Sequence, residues 1–200
     1  MSLKRAIQLT KSFIAHPILF TRAYLLPSSI PQGKLRWREK TSLRSAWDDR
    51  TQMIARMIPS GASVLEFGAG RRVLEKMLPP GCTYQPSDIV ERGPDTLVCD
   101  LNEGLPTLDG RFSVVVFSGV LEYVLEPAPL IRQLADHCET VIASYASLEE
   151  CPDPLTRRVN GWVNSYSQDD FTKLFENAGF CLTDRQAWEA QTIYAFTRVR

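Results

Sequence analysis

Histidine is nearly absent from this chain of 200 residues. Only His16 and His137 occur, so imidazole-based catalytic or metal-binding clusters have little to be built from. Paired cysteines are lacking too. Cys82, Cys99, Cys138, Cys151 and Cys181 are odd in number and stand too far apart for a zinc knuckle or a redox dithiol. They read as scattered free thiols of a reducing, cytoplasmic setting with no structural metal. Long apolar runs are also missing. The uncharged stretch from Ser12 to Thr21 is about half of what a bilayer crossing needs, and His16-Pro17 interrupts it. No small-x-small cleavage site follows, so neither a signal peptide nor a transmembrane helix is expected. What remains for residues 1–26 is a basic helix lying on the main domain, on a partner, or peripherally on a membrane. Glycine and proline, at 11 and 13, hold an average share and exclude collagen-like and low-complexity classes.

Net charge is absent as well, with 23 basic against 23 acidic side chains. The zero is a cancellation. Lys4, Arg5, Lys11, Arg22, Lys34, Arg36, Arg38, Lys40 and Arg44 face a single acidic residue, Glu39, before position 48, and the acidic excess lies entirely beyond it. This asymmetry predicts a basic, helical extension over 1–44 and an acidic globular domain over 45–200. The turn-rich Pro27–Gly33 segment is a joint on the way.

Leu43, Trp47, Ile54, Met57 and Ile58 recur at helical spacing, and Pro59-Ser60-Gly61 stops that helix. Short apolar runs then alternate with helical patterns. Ser63–Phe67 reads as a buried strand, Arg72–Leu78 as a short helix, and Thr83–Pro86 and Thr96–Cys99 as short strands. Phe112–Phe117, with three consecutive valines, reads as a central strand buried on both faces. Leu130–His137 is helical, Thr140–Tyr145 a strand, and Gln168–Ala178 a helix capped by Ser167 and Gly179. Phe180–Trp188 and Thr192–Val199 lie too close for a crossover and predict an antiparallel hairpin. The order implies an α/β fold whose mostly parallel sheet ends in one reversed strand, with ligands at the carboxyl ends of the strands.

Those strand ends carry the polar residues. Glu66-Phe-Gly68-Ala-Gly70 follows the first, Asp88 the second, Asp100-Leu101 the third and Ser118–Tyr123 the fourth. Two glycines let the backbone turn sharply beside a ligand, and a helix N-terminus offers N–H groups to an anion. A carboxylate about 20 residues on can accept from a ribose diol. Together Val64–Gly70, Asp88, Asp100, Phe112–Val124 and Gln168–Phe180 resemble the class I S-adenosylmethionine-dependent methyltransferases over roughly residues 45–199. The resemblance implies a Rossmann-like seven-stranded sheet, S-adenosyl-L-methionine as cofactor, and transfer of its methyl group to a nucleophile. It further implies that Gly68 and Gly70 contact the methionine part, with Glu66 near its amino group. Asp88 would bind the ribose, Asp100 and Leu101 the adenine, and Ser118 to Tyr123 would line the floor beneath cofactor and acceptor.

Two positions depart from the family pattern: Arg72 replaces the third glycine, and Tyr123 stands where the exit loop often has His. Tyr123 is the candidate catalytic or acceptor-orienting group, with a wall residue as its alternative. Arg72 is either an outward helix residue or a positive charge near the cofactor. A loop of about 21 residues, 146–166, carries Arg157, Arg158, Trp162, Asn164 and Tyr166 and is a candidate acceptor lid, or an anchored segment. Glu149 and Glu150 are either proton acceptors or solvated. Three functions fit: a methyltransferase acting on a small-molecule or conjugated-metabolite acceptor, a non-catalytic cofactor-binding regulator, or an RNA or protein methyltransferase docking through the basic segment.

Overall fold

The computed structural model describes residues 37–39 and 43–199. The expectations for residues 1–26 and for the joint at 27–33 lie outside them. A short 3-10 turn, Ser45–Trp47, leads into helix α1 (Asp48–Arg56). Asp48 and Asp49 sit in its first turn and Arg56 in its last, which suits the helix dipole. Then follow β1 (Ser63–Phe67), α2 (Val73–Met77), β2 (Thr83–Asp88), β3 (Leu97–Val98), β4 (Phe112–Ser118) and α3 (Pro127–Leu134). The chain continues through β5 (Cys138–Tyr145), α4 (Pro154–Asn160), α5 (Gln168–Glu176), β6 (Phe180–Trp188) and β7 (Gln191–Arg198).

The strands form one seven-stranded sheet in the order β3-β2-β1-β4-β5-β7-β6. β1 to β5 pair in parallel, and β7 runs antiparallel to both β5 and β6. This is the Rossmann-like fold with a terminal hairpin that the sequence predicts. Successive side chains of β4 serve opposite layers. Val115 and Phe117 join the cluster holding Leu130, Phe171 and Phe175, while Val114 and Val116 join the one holding Ile54 and Leu74. A strand with helices on both faces has no wet side, which is why its sequence is apolar without alternation. Ser167 Oγ accepts from the Asp170 N–H at 3.0 Å and starts α5, and Gly179 ends that region at φ +85°.

The segment between β5 and α5, read from the sequence as a loop, contains a short helix. Asp153 caps α4 through Thr156 N–H at 3.0 Å, Pro154 occupies its first turn, and Gly161 closes it at φ +80°. Arg157, 3% exposed, holds this segment in place by donating to the carbonyls of Ala146 and Asn164 and to Ser165 Oγ. No helix among the described residues is long and apolar enough to cross a membrane.

The sheet order reverses between β1 and β4, whose carboxyl ends diverge to β2 on one side and β5 on the other. Connections leaving in opposite directions open a crevice above that point, where ligands bind in sheets of this kind.

Candidate functional site

A cavity of about 650 Å³ fills that crevice. Glu66, Gly68, Gly70, Asp88, Asp100, Leu101, Ser118 and Tyr123, the eight site candidates from the sequence, all line it.

The turn after β1 needs its glycines for two reasons. Gly68 and Gly70 have φ of +73° and +52°, and a Cβ at Gly68 would lie 2.5 Å from Val120 Cγ2 on the loop leaving β4. The Gly70 N–H donates to Asp88 Oδ2 at 2.8 Å, so the β1 turn and the β2 end hold each other. Arg92 pairs with the same carboxylate at 3.1 Å, and both side chains are almost fully buried. Asp100 lines the cavity and also begins a turn, its Oδ1 accepting from the Asn102 N–H at 3.0 Å. The two sequence readings of that residue are therefore compatible.

Glu66 is 4% exposed and accepts from the Tyr84 hydroxyl. Burial pushes its carboxyl up to about 8, against the hydrogen bond from Tyr84 and the positive charge of Arg50. Lining the same cavity, and near enough for its charge to act on Glu66, is a residue that sequence reasoning passed over. Arg50, 7% exposed, donates Nε to Ser118 Oγ at 3.1 Å, Nη2 to the Ser118 carbonyl at 3.1 Å, and Nη1 to Gln191 Oε1 at 2.5 Å. No carboxylate of the described residues forms an ion pair with it. Its guanidinium rests against Gly119, where a Cβ would come within 2.7 Å of Nη1. Gln191 Nε2 in turn donates to Glu122 Oε1 at 2.8 Å, which also accepts from the Ala146 N–H. The signal for Arg50 was present: three residues after Trp47 and four before Ile54, it falls on the apolar face of its helix.

Tyr123 lies in a 3-10 turn (Leu121–Tyr123) after β4. Its hydroxyl accepts from Trp162 Nε1 at 3.2 Å, and its ring meets Trp37 edge-on at 5.2 Å. Of the polar and aromatic residues singled out in segment 146–166, only Trp162 reaches the cavity. Arg157 and Asn164 are internal fasteners, Asn164 Nδ2 donating to the carbonyls of Leu121 and Val124 at 2.7 Å each. Glu149 accepts from the Gln168 N–H, and Glu150 from the Ser147 N–H and the Thr192 hydroxyl, so neither carboxylate is merely solvated. Arg72 points away from the site. It takes the left-handed conformation usual for glycine, φ 56°, and pairs with Glu75 and Asp95 at 2.8 and 2.6 Å.

A crevice at the switch point with a glycine turn on β1 and carboxylates on β2 and β3 defines a nucleoside-binding α/β protein. The chain belongs to the methyltransferase domain family, whose model matches residues 37–184, and is a class I S-adenosylmethionine-dependent methyltransferase. Among solved structures it is similar to the 1,6-didemethyltoxoflavin N1-methyltransferase of Burkholderia thailandensis, solved with 1,6-didemethyltoxoflavin and S-adenosylhomocysteine bound. That pair shares 18% identity over 88% of this chain and 93% of the other, with a TM-score of 0.62. The magnesium protoporphyrin IX methyltransferase of Synechocystis, solved with S-adenosylmethionine, is likewise 18% identical, over 84% and 92% of the two chains, with a TM-score of 0.58. No curated protein sequence matches the chain.

The cofactor is S-adenosylmethionine, and the cavity fits it. Its amino-acid end carries an ammonium and a carboxylate, and the cavity is lined by both a buried carboxyl, Glu66, and a buried cation that has no ion-pair partner among the described residues, Arg50.

The weakened acidity of Glu66 has a consequence for stability. Folding holds a proton that the unfolded chain releases near its ordinary value of 4.5. The stabilisation is complete below that value and is lost as pH rises to about 8, at no more than about 1.4 kcal/mol per pH unit. Glu122, also raised by burial, adds in the same direction. The melting temperature of the ligand-free protein should fall between pH 5 and 8, and Glu66→Gln should flatten the fall. An unchanged slope in the variant would contradict the assignment.

Proposed function

We propose that this protein methylates a small-molecule acceptor held in the cavity beside the cofactor. The observation that carries the reading is the convergence of four strand ends on one crevice of about 650 Å³ that is also lined by aromatic side chains. Asp88, fixed by Gly70 and Arg92, accepts from the ribose hydroxyls. Asp100 and Leu101 hold the adenine. Glu66 and the backbone of Gly68 face the ammonium, and Arg50 faces the carboxylate. Ser118 acts through Arg50, since both its hydroxyl and its carbonyl accept from that guanidinium. The cofactor supplies an electrophilic methyl group on a sulfonium, which an acceptor lone pair displaces in line to leave S-adenosylhomocysteine. The chain's contribution is then positioning, with the Tyr123 hydroxyl orienting the acceptor. That the similar Burkholderia enzyme binds 1,6-didemethyltoxoflavin and S-adenosylhomocysteine together supports a small-molecule acceptor.

A ligand bound only by the folded state at a hundredfold excess over Kd stabilises by about 2.7 kcal/mol, or about 5–10 °C in a chain this long. S-adenosylhomocysteine should produce that rise in a thermal melt, and Asp88→Ala should remove most of it. A well-folded wild-type sample that does not respond would overturn the reading.

A further inference from the structure

All four tryptophans of the chain, Trp37, Trp47, Trp162 and Trp188, line this one cavity. They come from segments far apart in sequence. None belongs to the buried core, whose large rings are Phe and Tyr, and each is half-buried. Trp37 packs edge-on against Trp47 at 5.8 Å and against Tyr123 at 5.2 Å, while Trp162 holds the Tyr123 hydroxyl. Trp47 and Trp188 flank the Arg50 guanidinium, at 5.8 and 5.2 Å. Trp47, Trp162 and Trp188 therefore gather around the exit of β4 and the β6–β7 turn, and Trp37 reaches from them toward the β2 end, where its carbonyl accepts from Arg92.

We propose that the acceptor is a flat, uncharged aromatic or heteroaromatic molecule, stacked among Trp37, Tyr123 and Trp162; this rests on the small-molecule methyltransferase reading above. Three kinds of ligand bind aromatic walls, and two fit poorly here. An ammonium would be drawn to the ring faces, but it would enter beside a buried guanidinium already lying over two of them. A sugar presents many hydroxyls and needs matching side chains. On this wall most of those side chains are engaged, Asn160 and Glu189 being the exceptions among the described residues. Gln191 spends its amide oxygen on Arg50 and its amide nitrogen on Glu122, and Asp48 is taken by both Nη atoms of Arg71 at 3.0 Å. A flat neutral ring asks for ring surface and little else, and gains both from area and from offset or edge-to-face packing. Methyl transfer to such an acceptor needs a phenolic oxygen or ring nitrogen: its lone pair forms the new bond to carbon, the carbon–sulfur pair stays on sulfur, and the released proton passes to solvent.

Because every tryptophan lies in the cavity, the indole N–H signals of tryptophan-labelled protein report on it alone. The protein is first saturated with S-adenosylhomocysteine, its binding verified by calorimetry, and then titrated separately with β-naphthol, methyl glucoside and n-butylammonium. β-Naphthol should shift the indole signals saturably and more tightly than the other two. Trp162→Leu and Trp37→Leu should each weaken it about tenfold, with S-adenosylhomocysteine affinity changed less than about twofold. Tighter binding of the glucoside or the ammonium would overturn the acceptor class, as would a β-naphthol response that both variants leave intact, or no response to any probe. Failure of S-adenosylhomocysteine itself to bind would instead overturn the methyltransferase reading on which the proposal rests.

Discussion

Arg50→Leu is expected to weaken S-adenosylhomocysteine binding by about a hundredfold, while binding of methylthioadenosine, which lacks the amino-acid end, changes little. The wild-type guanidinium already has three protein acceptors, and two of its five N–H groups remain for a ligand. A charge-assisted pair between a buried Arg and a carboxylate is worth about 1.5–3 kcal/mol, which spans the hundredfold expected. Leucine also leaves the Gln191 oxygen without its donor, so the variant should lose some thermal stability even without ligand. Comparing the two ligands separates these effects. A general loosening of the cavity weakens both, whereas loss of a carboxylate contact weakens only S-adenosylhomocysteine. Equal losses would place Arg50 among the structural residues.

Gly68→Ala should cost both stability and cofactor affinity, and Gly61→Ala only the former. Both glycines have positive φ, +73° and +77°, so either alanine pays about 1–2 kcal/mol of backbone strain. At Gly61 nothing lies within 4 Å of the added methyl group. At Gly68 that group would sit 2.5 Å from Val120, on the loop that also carries Gly119 and Tyr123. The two turns would have to separate, at a further cost of about 1–3 kcal/mol, and the crevice between them would change shape. Thermal melts of both variants should show the larger fall for Gly68→Ala, and calorimetry a loss of S-adenosylhomocysteine affinity of at least about tenfold for that variant alone. Similar behaviour of the two would remove the special role of the Gly68–Val120 contact.

The proposed cofactor half of the cavity was legible in sequence because it is built from local signals. Gly68 and Gly70 follow a short buried strand directly, Asp88 and Asp100 end the next two, and the valine run of β4 admits only a central position. The hairpin was legible from the shortness of the chain between its strands. The proposed acceptor wall is assembled from Trp37, Trp47, Trp162, Trp188 and Gln191, whose meeting depends on the tertiary fold, and no local spacing reveals it. Arg50 lies between these cases. The sequence reading put it among the polar residues between the apolar positions, although its spacing from Trp47 and Ile54 points inward, and its acceptors, Ser118 and Gln191, are separated from it by 68 and 141 positions. The helix within 146–166 went unread for another reason. Asp153-Pro154 and Gly161 are start and stop signals for a helix of only seven residues, short enough to be read as loop.

The most direct test of the account is a crystal structure with S-adenosylhomocysteine bound. The account predicts the ribose on Asp88, the adenine beside Asp100 and Leu101, the carboxylate on Arg50, and the sulfur facing the space bounded by Tyr123 and Trp162. Ligand density outside this cavity, or a sulfur turned away from the tryptophans, would contradict it.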